Sequence, residues 1–130
     1  MSVQSTKDVL TRYFNASHND TSMLADDVVF TVMGTGQEAR TPQGVAEMLH
    51  YFYHVAFDAI PNTTNLVFDD GKAVLEADFA GKHIGEFAGI PPTGKSVHVP
   101  LCVCYDVEGD QIKRARIYFE TDALRAQLQG

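Results

Sequence analysis

No stretch of this 130-residue chain stays apolar for the length of a membrane span, and its opening, MSVQSTKDVL, is too polar for a secretion signal. The expected location is the cytoplasm. Asn15, Asn19 and Asn62 each begin an N-x-[ST] triplet, which without such a signal is a chance match. Positive charge is scarce: 10 Lys and Arg stand against 17 Asp and Glu, for a net charge of −7. Both halves are acidic, with 3 basic and 7 acidic side chains in residues 1–65 and 7 and 10 in residues 66–130. That balance argues against nucleic acid or an anionic membrane as partner. The one basic cluster, Lys113-Arg114-Arg116, falls on a predicted strand, which sends its side chains to two faces. Cysteine is nearly absent. Cys102 and Cys104 share one face of a predicted strand, where neighbours at i and i+2 rarely bridge, so they read as two buried thiols and a poor zinc site. No serine or cysteine has a recognisable base partner, and no flavin or nicotinamide fingerprint is present. No cofactor is expected. Repeats, linkers and low-complexity segments are missing too, which leaves one domain over residues 1–130.

The most informative stretch that is present is GKHIGEFAGIPPTGKS, residues 81–96. Its second half, Gly89 to Ser96, fits the phosphate-loop pattern G-x-x-x-x-G-K-[ST]. A phosphate loop needs consecutive backbone N–H groups and a helix directly behind them. Pro91 and Pro92 have no N–H to offer, and the following VHVPLCVCY is β-branched and apolar, hence a strand. The stretch therefore reads as a stiff loop between two strands and not as a nucleotide site.

Upstream, Val9, Leu10, Tyr13 and Phe14 recur at helical spacing, with Ser5 or Thr6 able to cap the start. A short second helix is expected around residues 21–25, then a strand over 28–33. Thr41-Pro42 starts a helix whose apolar stripe runs Val45, Met48, Leu49, Phe52 and Ala56. After Pro61 the pattern turns to strands. Residues 66–68 meet 73–79 across Asp69-Asp70-Gly71, and 97–107 meet 111–119 across Glu108-Gly109-Asp110. Residues 122–129 close the chain as a short helix or tail. Helices first and a strand meander after them predict an α+β fold, with helices on one face of a curved antiparallel sheet.

The stretch GKHIGEFAGIPPTGK resembles the G-x-H-x-G-E-F-x-G-I-P-P-T-G-K signature of SnoaL-like polyketide cyclases, within the nuclear transport factor 2-like superfamily. Ile117-Tyr118-Phe119-Glu120, Leu124 and Gln127-Leu128 resemble that family's ending, Y-F-D-x-x-x-L-x-x-Q-L-G. The resemblance implies a cone-shaped fold with a pocket between sheet and helices, a small-molecule ligand, and dimerisation through the sheet. The apolar residues on both faces of strand 97–107 also call for a homodimer that covers the second face. The implied function is a cofactor-independent cyclase, isomerase or lyase acting on a small apolar carbonyl compound. The competing reading is a dimeric binding module that keeps the pocket without the chemistry.

Glu120 matches the family position of the acidic residue that handles a proton during ring closure. The family has Asp there. The added methylene extends the side chain by about 1.5 Å, and a misplacement of about 1 Å can lower a rate on the order of 100-fold. Ala115-Arg116 also departs from the His-Trp found in many members. The other reading of Glu120 is a strand-end carboxylate in solvent or paired with Arg116. His83 matches the family histidine and falls on the apolar face with Ala73, Leu75, Ala77, Phe79 and Gly81. It is either a catalytic imidazole that orients a substrate carbonyl or exchanges a proton, or a core histidine satisfied by a backbone carbonyl. Tyr13 sits where ketosteroid isomerases, relatives on this fold, place an oxyanion-binding tyrosine, yet their base falls near Val32 here. Tyr13 therefore packs in the core with its hydroxyl toward the pocket. Phe52, Phe79 and Tyr118 complete the expected substrate contacts. Glu47, His50 and His54 have metal-like spacing but lie opposite the apolar stripe, as a solvated face would, and no metal site is expected.

Overall fold

The computed structural model describes residues 2–16 and 20–130; Asn19, the middle N-x-[ST] position, lies outside them. Helix α1 (Val3–Asn15) begins earlier than its apolar spacing suggests. The cap is Ser2, not Ser5 or Thr6. Its Oγ accepts the Ser5 N–H at 3.1 Å while Ser5 Oγ accepts the Ser2 N–H at 2.9 Å. Thr6 is buried instead. Its hydroxyl reaches Ser2 O at 2.9 Å and accepts the Gly71 N–H at 2.9 Å, which ties α1 to a distant hairpin turn. Val9 and Leu10 are buried on the same face.

The expected helix over residues 21–25 does not form. Asp20 Oδ1 accepts the Ser22 N–H and hydroxyl at 3.0 and 2.7 Å, a local turn that competes with helix, and the chain enters strand β1 (Leu24–Val32) directly. Met23 and Leu24 still reach the core. Strand β2 (Gln37–Arg40) returns along β1, and α2 (Thr41–His50) follows with Pro42 in its first turn. Thr41 has φ 69°, a conformation β-branched residues rarely adopt, and its Oγ1 accepts the Gly44 N–H at 3.2 Å as a cap does. The apolar stripe expected to run on to Ala56 continues not as α-helix but as a π-helical turn, Tyr51–Ala56.

Strands β3 (Phe57–Asp69), β4 (Lys72–His83), β5 (Ser96–Glu108) and β6 (Gln111–Phe119) form the meander, and α3 (Thr121–Gln129) ends the described chain. The tight turns fall where Gly71 and Gly109 supply positive φ, 74° and 60°. The sheet order is β2-β1-β6-β5-β4-β3. The sheet is mixed and not wholly antiparallel as expected: β6 lies parallel to β1. After β2 the chain crosses through α2 to the far edge, and the meander then works back, so its last strand meets β1 running the same way. A sequence shows hairpins, which are local, but not which strand closes a meander.

The inner face of the sheet carries Leu75, Phe79, Val99, Leu101, Val103 and Tyr105, all buried, and register pairs Phe79 with Val99 and Val103 with Ile117. Each fully buried Phe or Leu stabilises the fold by about 1.5–3 kcal/mol. On the outer face stand half-buried Cys102 and Cys104, both free, with exposed Ile60, Val67 and Tyr118.

Candidate ligand cavity

Between the inner sheet face and the helices lies a cavity of about 310 Å³. Tyr13 and Phe14 enter it from α1, Phe30 and Val32 from β1, Met48 and Leu49 from α2, and Tyr51, Phe52 and Tyr53 from the π turn. Leu101, Val103 and Tyr105 on β5 and Ile117 and Phe119 on β6 form its floor. No Asp, Glu, His, Lys or Arg lines it among the described residues.

The walls are two aromatic clusters. Tyr13, Phe30 and Tyr105 pack edge to face, with ring centroids 6.2 to 6.5 Å apart. At the other end Phe52 packs tilted against Phe79 at 4.7 Å and edge to face against Phe119 at 5.4 Å and Phe87 at 5.8 Å. The polar lining residues are Tyr13, Tyr51, Tyr53 and Tyr105 with Thr35, Gln37, Thr63 and Thr121. Burial drives the Tyr105 hydroxyl well above the ordinary tyrosine range, with Tyr13 and Tyr53 adding to the shift. Burial, then the nearby Tyr53, raises Tyr13 as well, and burial pushes Tyr53 up to about 12. At neutral pH these hydroxyls are uncharged donors and cannot serve as bases.

Of the residues singled out from sequence, Tyr13 and Phe52 line the cavity. Phe79 is buried behind Phe52 rather than on the cavity surface. Tyr118 and Glu120 do not enter it: Tyr118 is 47% exposed and Glu120 is exposed. Strand parity places Tyr118: Ile117 and Phe119 point inward, so the residue between them points out, and Glu120 lies past the end of β6, at the entry into α3. Nor does Glu120 pair with Arg116. That guanidinium grips Asp106 with two hydrogen bonds, 2.9 and 3.1 Å.

His83 is wholly buried, at 0% exposure, yet it too is absent from the cavity lining, so Glu120 and His83 do not meet there. It is not bonded to a backbone carbonyl through its ring. Nδ1 accepts the Thr93 N–H at 3.1 Å and lies 3.0 Å from Thr93 Oγ1, while Nε2 has no protein partner.

The phosphate-loop pattern resolves into a structural loop. Ser96 opens a strand, and Lys95 Nζ donates to Leu128 O at 3.2 Å and to Gly130 O, capping α3. Glu47, His50 and His54 are exposed, with the two imidazoles 5.5 Å apart, and no metal-competent group of three is found among the described residues.

Sequence reasoning missed Tyr51, Tyr53 and Tyr105. Tyr105 was visible as the last inward position of the alternation from Val97 to Tyr105. The other two were not. At 100° per residue, Tyr51 and Tyr53 diverge by about 200° on an α-helix. Tyr51, Phe52 and Tyr53, the first three residues of the π turn, nevertheless all line the cavity.

Helices folded against one face of a curved six-stranded sheet, with an aromatic cavity between, define the nuclear transport factor 2-like α+β fold. The chain belongs to the SnoaL-like polyketide cyclase family, whose model matches residues 8–128. It is similar in structure to a candidate SnoaL-like polyketide cyclase from Jannaschia sp. CCS1, at 15% identity and TM-score 0.86, covering 98% of this chain and 93% of that one. A candidate polyketide cyclase from Xanthomonas campestris pv. campestris superposes with TM-score 0.84 at 19% identity, over 97% of this chain and 98% of that one. A hypothetical protein of ketosteroid isomerase-like fold from Catenulispora acidiphila, in complex with trimethylamine, gives TM-score 0.73 at 15% identity over 95% and 94%. No curated protein matches the sequence.

Proposed function

We propose that this chain binds a flat, apolar bicyclic or tricyclic compound bearing a carbonyl oxygen. The observation that carries this reading is the gathering of three neutral phenols, Tyr13, Tyr53 and Tyr105, in a cavity otherwise lined mainly by carbon. Aromatic walls favour a flat ligand, and un-ionised phenols offer O–H donors that suit a ligand presenting a carbonyl acceptor. The test is titration with 2-acetylnaphthalene and with 2-isopropylnaphthalene, which keeps the shape and loses the acceptor. Tyr105→Phe should weaken the ketone by about five- to tenfold, the worth of one hydrogen bond, and leave the hydrocarbon unchanged. Equal effects on both ligands, or no binding of the ketone, would refute the reading.

A second reading is a cofactor-independent cyclase or isomerase, with Glu120 moving the proton. Family membership favours it, and so does the position of Glu120 between two cavity residues, Phe119 and Thr121. It requires the carboxylate to turn inward when substrate binds. In that case Glu120→Gln abolishes turnover of a polyketide-like substrate and leaves affinity unchanged. In the binding-module reading the same variant changes nothing.

The proposal extends to assembly and location. A homodimer would cover the outer sheet face, where Ile60, Val67 and Tyr118 are exposed beside Cys102 and Cys104. Sedimentation as a monomer at micromolar concentration would reject it. Two free thiols suit a cytoplasmic setting.

A further inference from the structure

His83 is the most completely buried polar ring among the described residues, and nearly every bond it makes goes to one segment, residues 84–95. Its backbone N–H donates to Lys95 O at 2.9 Å, and its C=O accepts the Gly94 N–H at 3.0 Å. Its ring Nδ1 takes the Thr93 N–H. A backbone N–H can only donate, so Nδ1 carries no proton and the neutral ring holds its hydrogen on Nε2. Thr93 Oγ1 then accepts the Lys95 N–H at 3.2 Å, which closes the turn. The ring itself lies against Phe57, at 5.2 Å and 33°.

The loop held this way carries parts of the cavity. Phe87 lines it and packs edge to face against Phe52 and Phe57. The Glu86 carbonyl accepts the hydroxyl of Tyr51, another lining residue. Lys95 caps the C-terminal end of α3. The near end of the loop is pinned by the Ile84 and Gly85 N–H groups, both donating to Ala56 O at 3.0 Å. Phe87 and Ile90 bridge the middle of the loop, and the far end is held by the backbone bonds of His83 to Gly94 and Lys95 together with the His83–Thr93 side-chain bond.

We propose that His83 is a positioning residue. It acts as a buried hydrogen-bond acceptor at Nδ1 that folds the 84–95 loop onto Thr93 and thereby sets Phe87 and Tyr51 around the ligand. The part that concerns ligand affinity rests on the cavity reading above; the part that concerns the loop does not.

The two halves of the imidazole can be replaced separately. In His83→Asn the Oδ1 stands near the place of Nδ1 and nothing replaces Nε2. In His83→Gln the amide reaches toward the place of Nε2 and leaves Thr93 without its acceptor. Hydrogen exchange at the Thr93 and Phe87 amides and affinity for 2-acetylnaphthalene are the two measurements. The Asn variant should keep loop protection and stay within about twofold of wild-type affinity, while the Gln variant should lose protection and bind roughly tenfold more weakly. Thr93→Val, which keeps the N–H and loses the hydroxyl, should weaken protection with His83 intact. The reverse ranking, with Gln retaining and Asn losing, would overturn the proposal, because Nε2 would then be the working atom. Equal behaviour of the two variants would overturn it as well, since the ring would then act only by packing. Nitrogen NMR of the wild-type imidazole is independent of any variant: an Nε2–H ring with unprotonated Nδ1 supports the proposal, and an Nδ1–H ring refutes it. If wild type does not bind the ketone at all, the cavity reading fails, while the exchange and NMR results still decide the role of His83.

Discussion

Arg116 and Asp106 are joined by two parallel hydrogen bonds, Nη1 to Oδ2 at 2.9 Å and Nη2 to Oδ1 at 3.1 Å, and Lys72 adds a third to the same carboxylate at 2.8 Å. Register explains the grouping: Lys72 lies directly opposite Asp106 across β4 and β5, while Arg116 opposes Cys104 and reaches Asp106 diagonally. The Arg116 bonds, and then those of Lys72, lower the Asp106 carboxyl to about 2.

A carboxyl lowered in the folded state stabilises it above the unfolded value and loses that effect as pH falls. For Asp106 the loss runs from 3.8 down to about 2. Solvent screens much of the interaction, so its worth is about 1 kcal/mol. Urea denaturation at pH 7 should show Asp106→Asn less stable by that amount, with the difference shrinking below about pH 4. A gap that is constant with pH would contradict this account.

The phenols predict the opposite limb. Tyr53 moves from 10.0 up to about 12, and Tyr13 and Tyr105 are also raised, so each stabilises the fold below its unfolded value and loses that effect as pH rises. Absorbance at 295 nm should show part of the tyrosine ionisation delayed until alkaline unfolding. Tyr105→Phe should remove part of the delayed amplitude. Complete, reversible titration of all the tyrosines near pH 10 would be inconsistent with the cavity described.

Gly85 and Gly44 should respond to alanine in opposite directions. A Cβ on Gly85 would lie 2.3 Å from Val55 O, against backbone that cannot yield cheaply. Gly85→Ala is expected to destabilise by about 2 kcal/mol. In α2, a Cβ on Gly44 would meet Thr41 Oγ1 at an ordinary 3.5 Å, and Gly44→Ala should stabilise by about 0.5–1 kcal/mol. Paired thermal melts measure both.

Lys95 is expected to serve α3 and not a nucleotide. Titration with Mg²⁺ and ATP should give no micromolar binding, and Lys95→Ala should lower stability by about 1 kcal/mol by freeing the Leu128 and Gly130 carbonyls. Micromolar ATP affinity lost in that variant would refute this.

Much of the fold could be read from the sequence because it is written locally. Asp70-Gly71 and Gly109-Asp110 turn two hairpins, Pro42 opens a helix, and the Val97-to-Tyr105 alternation marks an inner face. The family signature around His83 was equally legible. The candidate site was legible only in part. Tyr13 and Phe52 line the cavity, while Tyr118 faces out from β6 and Glu120, at the entry into α3, is exposed. A family position carries a residue's identity, but the direction of its side chain follows from the parity of the strand and the entry into α3.

By itself, then, the sequence determined the elements, their turns and the apolar face, because these depend on spacing and on backbone freedom over a few residues. Only the tertiary structure decided that β6 closes against β1 in parallel, and that Tyr51, Phe52 and Tyr53 of the π turn all line one cavity. Only it decided that His83 turns toward Thr93 while Glu120 turns away. Those outcomes depend on contacts between residues far apart in the chain, and no local pattern encodes them.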